Sequence, residues 1–173
     1  MTKKTIYIII LFAIVAFAGL YLLFGGAAFY LFNKYRVAPT IEISKLNVVD
    51  QDTSKFDITS LKGKKVIISF YASWCPNCLE ELEILNSIKN EKLNDIEILA
   101  ITDESMEKLT SFKNKKQYPF TFLKLNASFP EIGIASIPTT YLLNTKGEIV
   151  YNKVGYIQWD DESNLNHLKS LME

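Results

Sequence analysis

The longest apolar run of the chain, Ile6 to Phe32, carries no charged side chain and is flanked by Lys3 and Lys4 before it and by Lys34 and Arg36 after it. As a helix rising about 1.5 Å per residue it would reach about 40 Å, more than the roughly 30 Å of a bilayer's hydrocarbon core. The pattern predicts one membrane-spanning helix over 6–32, with tilt absorbing the excess length. A cleaved signal peptide is the competing reading, because Gly26-Ala27-Ala28 offers the small residues a signal peptidase accepts. Signal h-regions span about 7–15 residues, and here Phe29-Tyr30-Leu31-Phe32 stays apolar past that point, which favours an uncleaved anchor. Lys and Arg are balanced across the segment, and the free amino terminus tips the positive-inside bias toward a cytoplasmic N-terminus. The expected division is a membrane anchor with short flanks over 1–36 and a domain over 37–173 on the periplasmic or outer face.

Beyond the anchor the apolar period changes. Val37 to Gln51 reads as a connector that becomes a strand or two, with Ile41, Ile43, Leu46, Val48 and Val49 as its apolar positions. Phe56 to Thr59 alternates like an edge strand, and Leu61-Lys62-Gly63-Lys64 supplies a turn. Val66 to Tyr71 is almost continuously apolar, as a strand buried on both faces requires. Leu79, Leu82, Leu85 and Ile88 then recur at helical spacing among Glu80, Glu81, Glu83 and Lys89, the pattern of a helix packed on a sheet. A strand over Ile96 to Ile101, an amphipathic helix over Met106 to Lys116, a strand over Phe120 to Leu123 and a short helical turn over Phe129 to Ile134 follow. Thr139 to Leu143 and Glu148 to Tyr151 flank Asn144-Thr145-Lys146-Gly147 as an antiparallel hairpin. A last helix covers Asp160 to Leu171. The order predicts an α/β fold with a mixed sheet and helices on both faces.

Composition narrows the function classes. Nineteen basic and nineteen acidic residues leave a formal net charge of zero. No basic field points to nucleic acid, and the positive residues beside the apolar run are too few for specific lipid recognition.

The chain has two cysteines, and both lie in Ser69-Phe70-Tyr71-Ala72-Ser73-Trp74-Cys75-Pro76-Asn77-Cys78, between the buried strand and the helix. With Cys75 at a helix start, both sulfurs fall in the first turn, close enough to alternate between dithiol and disulfide. A bracing disulfide is one alternative, but a loop this short yields only about 2 kcal/mol on the chain-entropy estimate. A zinc half-site is another, yet a closed site takes four ligands and His167 is the one further Cys or His candidate. Redox chemistry is the leading reading, with no metal and no cofactor.

Trp74-Cys75-Pro76-Asn77-Cys78 after a buried strand resembles the active site of the thioredoxin superfamily. Leu61-Lys62-Gly63-Lys64-Lys65-Val66, Phe70-Tyr71-Ala72-Ser73-Trp74, and Ile137-Pro138-Thr139-Thr140-Tyr141-Leu142-Leu143 ahead of Lys146-Gly147-Glu148-Ile149-Val150 resemble its membrane-tethered TlpA/ResA-like branch. The resemblance covers residues 40 to 172. It implies a thioredoxin fold with a βα insertion, read here as the strand and helix at Ile96 to Lys116, and a cis Ile137-Pro138 bond lying against the cysteines. It also implies that Pro138 exposes backbone for pairing with a peptide and excludes metal from the thiols. Cys75 is the expected nucleophile, because a helix start offers unpaired N–H groups and the positive end of the dipole to a thiolate. Pro76 suits the first helical position, and Cys78 resolves the mixed disulfide. Trp74 and Asn77 are expected to support the site.

Glu81 follows Cys78 by three positions, where ResA-like proteins carry a glutamate that influences the thiols; a solvated carboxylate on the outer helix face is the competing reading. Two features depart from the pattern. Ser69 stands where thioredoxin has a buried acid, and proline directly follows the first cysteine, as in glutaredoxins and the oxidant DsbA. The leading function is an extracytoplasmic, membrane-anchored thiol-disulfide oxidoreductase that reduces secreted or periplasmic proteins, for example in cytochrome c maturation. Its electrons would come from a multi-span membrane donor of the DsbD/CcdA kind. An oxidase or isomerase of the same fold, and a non-enzymatic membrane-tethered binding module, are the alternatives. The Thr-x-x-Cys nucleophile of a peroxiredoxin and the Cys-x-x-x-Cys of a Sco-like copper chaperone are both missing from the sequence.

Overall fold

The computed structural model describes residues 19–21, 24–26 and 38–173. The chain divides into two units, Met1–Arg36 and Val37–Glu173. The expected membrane helix over 6–32 lies outside the described residues apart from 19–21 and 24–26, which are helical. Among the described residues no helix is long and apolar enough to cross a membrane.

The second unit runs through β1 (Val48–Val49), β2 (Lys55–Phe56), β3 (Lys65–Phe70), α1 (Pro76–Lys92), β4 (Ile96–Thr102), α2 (Met106–Lys116), β5 (Thr121–Leu125), β6 (Thr139–Leu143), β7 (Ile149–Val154) and α3 (Glu162–Leu171). Its seven-stranded sheet has the order β2-β1-β5-β4-β3-β6-β7. β3 pairs parallel with β4, from Lys65 opposite Ile96 to Phe70 opposite Ile101, and antiparallel with β6. β5 is parallel to β4 on its far side, while β1, β2 and β7 extend the sheet antiparallel.

The alternation of side chains in β3 builds two cores. Ile67 faces a cluster with Leu82, Leu85, Ile98, Ala100, Leu109, Phe112, Leu142, Leu165 and Leu168, so all three α-helices contribute to it. Val66, Ile68 and Phe70 face Leu99, Ile101, Leu123, Tyr141 and Leu143 together with Ala38, Ile41, Leu46, Ile58 and Phe129. The expectation of helices on both faces is therefore corrected. The second face is covered by irregular chain and by single 3₁₀ turns at Ile43–Lys45, Ile58–Leu61 and Pro130–Ile132. These segments hold too few consecutive residues between turn formers to continue as α-helix, and Gly133 ends the last of them in a left-handed conformation at φ +84°.

Two boundaries also move. Phe56 to Thr59 is no continuous strand, because the Asp57 carboxylate accepts the Thr59 N–H at 2.9 Å and turns the chain into a 3₁₀ helix that buries Ile58. The inserted pair is α2 with β5 rather than Ile96 to Lys116, since β4 is the direct parallel neighbour of the central β3.

Candidate active site

The cysteines stand where β3 gives way to α1, at the edge formed by the carboxyl ends of β3 and β4. The Tyr71 N–H still reaches the Ile101 carbonyl at 2.9 Å, and the Cys75 N–H then closes a turn on Ala72 O at 3.1 Å. Cys75 is the N-cap of α1, with extended backbone (φ −91°, ψ 107°), and Pro76 opens the helix. Proline fits there because the first helical N–H has no intrahelical partner to lose. The Cys75 Sγ accepts the Cys78 N–H at 3.3 Å, so the sulfur takes the role an N-cap oxygen takes elsewhere. Cys75 and Cys78 are joined in a disulfide with their Cα atoms 5.3 Å apart. Cys78 is fully enclosed, whereas Cys75 keeps 6% of its surface open.

Ile137 and Pro138 close the other side. Their peptide bond is cis, and the Ile137 carbonyl oxygen lies 4.0 Å from the Cys75 Sγ. The Pro138 carbonyl accepts the Gly155 N–H at 2.7 Å, and the Thr139 Oγ1 donates to Ser136 O at 2.6 Å, so both flanks of the bond are tied to the hairpin. Ile137 is half-buried and Pro138 buried; Pro76 and Asn77 are exposed. Trp74 is 69% exposed, so it projects from the site and does not shield the cysteines.

Glu81 lies one turn after Cys78 and points inward, which removes the reading of a solvated carboxylate. It is fully buried. Its Oε1 accepts from Thr140 Oγ1 at 2.9 Å and from Trp159 Nε1 at 3.1 Å, while its Oε2 has no partner. Burial pushes its carboxyl up to about 7, against the weaker pull of Trp159, Thr140, the Ile157 N–H and the Lys153 charge. Thr140 is the cross-strand neighbour of Ser69, whose buried Oγ is also unpartnered. A carboxylate from α1 thus reaches the sheet face where β3 itself supplies only Ser69.

Comparison with known proteins agrees with this arrangement. A family model described as Redoxin matches residues 36–168. The chain belongs to the Redoxin family. This Redoxin-family chain is 30% identical over 164 residues to sporulation thiol-disulfide oxidoreductase A of Bacillus subtilis strain 168, covering 90% of this chain and 92% of that relative. It is 26% identical over 145 residues to thiol-disulfide oxidoreductase ResA of Bacillus thuringiensis strain Al Hakam, covering 79% of this chain and 84% of the relative. A structure assigned as thiol:disulfide interchange protein DsbE from Chlorobium tepidum superposes with a TM-score of 0.64 at 17% identity, covering 79% of this chain and 99% of that one. At that identity it speaks for the thioredoxin-like fold. The Redoxin-family chain is thus a ResA-like thiol-disulfide oxidoreductase of the thioredoxin superfamily, and the reading as a non-enzymatic binding module falls away.

The structure sets Ile137 and Pro138 against the Cys75–Cys78 disulfide, places Glu81 one turn further along α1 on Thr140 and Trp159, and leaves Trp74, Pro76 and Asn77 exposed. Among the described residues no group of His, Cys, Asp and Glu could hold a metal ion. Sequence reasoning missed Thr140 and Trp159, which hold Glu81. Thr140 adjoins the Ile-Pro-Thr motif, but nothing in the sequence ties Trp159 to a helix 78 residues earlier.

Proposed function

We propose that this oxidoreductase is membrane-anchored with its domain outside the cytoplasm, and that it reduces disulfides of secreted proteins through Cys75 and Cys78. The observation that carries the roles is the asymmetry of the pair: Cys75 is the N-cap, with 6% of its surface open, and Cys78 is wholly enclosed in the first turn of α1. The Cys75 thiolate, stabilised by the Cys78 N–H and the helix start, attacks one sulfur of the client disulfide. A mixed disulfide forms and the first client thiolate leaves. The Cys78 thiolate then attacks the Cys75 sulfur, the second client thiolate leaves, and Cys75–Cys78 is the disulfide that remains. Two electrons pass to the client, whose two thiolates take up protons. Glu81, on the enclosed side of Cys78, is placed to influence the charge on the resolving thiol.

The anchor reading rests on the uncharged run Ile6 to Phe32. Attachment by a lipidated cysteine is not open to this chain, since both cysteines belong to the pair. One membrane helix carries no electrons across a bilayer, so re-reduction calls for a multi-span membrane thiol donor of the DsbD/CcdA kind. The ResA resemblance makes apocytochrome c a candidate client. Proline directly after the first cysteine favours a second reading, an oxidase or isomerase of the same fold.

Equilibrating the full-length protein in detergent with glutathione or dithiothreitol separates the two directions. A potential of about −300 mV or below supports the reductant, and one near the roughly −120 mV of DsbA replaces it with the oxidase. Cys75→Ser is expected to abolish reduction of insulin, while Cys78→Ser traps mixed disulfides through Cys75. Traps through Cys78 instead would reverse the roles.

A further inference from the structure

A second carboxylate, half-buried and unused by the exchange steps above, bonds the loop that leads into Cys75. Glu104 lies two residues past the end of β4, just before Ser105, the N-cap of α2. Its side chain is 7% exposed. Oε2 accepts the Ser73 N–H at 2.6 Å and Oε1 accepts the Ser73 Oγ at 2.9 Å. The Thr102 Oγ1 is 3.5 Å from Oε2 and also receives the Glu104 N–H at 3.2 Å. Lys108 Nζ lies 3.2 Å from Oε1, but that lysine is 61% exposed.

A carboxylate withdrawn from water is costly unless its oxygens find donors. The two short bonds from Ser73 are therefore the contacts that matter most to it, and they land two residues before the nucleophile. Ser73 belongs to the turn that Cys75 N–H closes on Ala72 O. Fixing Ser73 fixes the entry to α1 and the direction in which Trp74 leaves the surface.

We propose that Glu104 is a positioning residue for disulfide exchange: gripping Ser73 at two points, it holds Cys75 at the helix start within reach of Cys78. The disulfide joins the sulfurs covalently, but in the dithiol only the backbone keeps them together. A restrained loop raises the effective concentration of one thiol at the other, as orientation does for other intramolecular reactions. The grip thereby favours closure of the Cys75–Cys78 ring.

The equilibrium that reads this is protein dithiol plus oxidised glutathione giving protein disulfide plus two reduced glutathiones. The Cys75–Cys78 bond forms, the glutathione S–S bond breaks, and two electrons and two protons move to glutathione. Full-length wild type, Glu104→Ala, Glu104→Gln, Ser73→Ala and the Glu104→Ala/Ser73→Ala double variant are equilibrated in detergent with glutathione buffers. The oxidised fraction is counted by thiol alkylation and mass, and melting is followed in parallel. Glu104→Ala is expected to lower the equilibrium constant about tenfold, the effect of one charge-assisted hydrogen bond, or about 30 mV for a two-electron couple. Glu104→Gln, which keeps an acceptor for the Ser73 N–H, restores part of the constant. Ser73→Ala shifts it less in the same direction, and the double variant moves no further than Glu104→Ala. An equilibrium constant unchanged in every variant, with melting lowered, overturns the proposal and leaves Glu104 as a brace of the fold. Should Glu104→Ala fail to fold, Glu104→Gln and Ser73→Ala decide alone, an unchanged constant in both overturning it.

Discussion

Replacing Glu81 by Gln should change how stability depends on pH more than it changes stability at any single acidic pH. The Gln carbonyl keeps the acceptor that Thr140 Oγ1 and Trp159 Nε1 share, at 2.9 and 3.1 Å in the wild type, so what is lost is the ionisation. Burial raises the Glu81 carboxyl from its ordinary 4.5 to about 7. The folded state then holds the proton more tightly than the unfolded chain, which disfavours folding once the proton must leave. Stability from this group is fully present below about pH 4.5 and is lost as pH rises to about 7. At about 1.4 kcal/mol for each pKa unit, the loss comes to about 3 kcal/mol. Urea unfolding of the oxidised protein, wild type and Glu81→Gln side by side from pH 4.5 to 8, cancels the contributions of other titrating groups. The variant should gain about 3 kcal/mol on the wild type across that range. A difference flat to within about 0.5 kcal/mol, the size of an ordinary surface substitution, would refute a dry, protonatable Glu81.

Leu82→Ala removes a fully buried side chain between α1 and the sheet and should cost about 2–5 kcal/mol in denaturant unfolding. Gly147→Ala places a Cβ 3.6 Å from Lys62 Cγ, an ordinary contact, but at φ +81°, so backbone strain alone should cost about 1 kcal/mol in the same assay. Trp74→Ala, at a side chain 69% exposed, should leave unfolding within about 0.5 kcal/mol while kcat/KM falls further for a protein disulfide than for a small one; equal losses would remove Trp74 from the docking surface.

Much of the fold is legible because local signals agree. The α2 boundaries follow from the apolar period, the Ser105 side chain accepting the Lys108 N–H at its start, and Gln117 in a left-handed conformation after its last turn. The β6–β7 turn follows from Gly147 with positive φ. The covering of the second sheet face was not legible, because Ala38, Ile41, Ile58 and Phe129 reach it from irregular chain whose burial no period announces. Glu81 sits among Glu80 and Glu83 in a sequence that looks evenly charged. Its burial depends on Thr140 and Trp159, 59 and 78 residues away, so only tertiary structure separates it from its solvated neighbours.

The absence of an acid from β3 does not leave the site without one. Thr140, paired across from Ser69, donates its Oγ1–H to the Glu81 carboxylate of α1, on the face of the sheet that packs against that helix. The rim is different in kind: Trp74, Pro76 and Asn77 are exposed, and Pro76 has no N–H to offer the sulfur, so the Cys78 N–H is the backbone donor seen at Cys75. Exposed side chains act on the thiols through solvent, which screens them, whereas a buried carboxylate acts through a medium of lower effective dielectric constant. Substitutions on the rim should therefore alter which clients dock, and substitutions at Glu81, Thr140 and Trp159 should alter the equilibrium between dithiol and disulfide. With Glu104 as proposed, the entry loop belongs to the second group. The unusual Pro-Asn order between the cysteines then bears on the redox potential chiefly through the backbone it gives the first turn of α1.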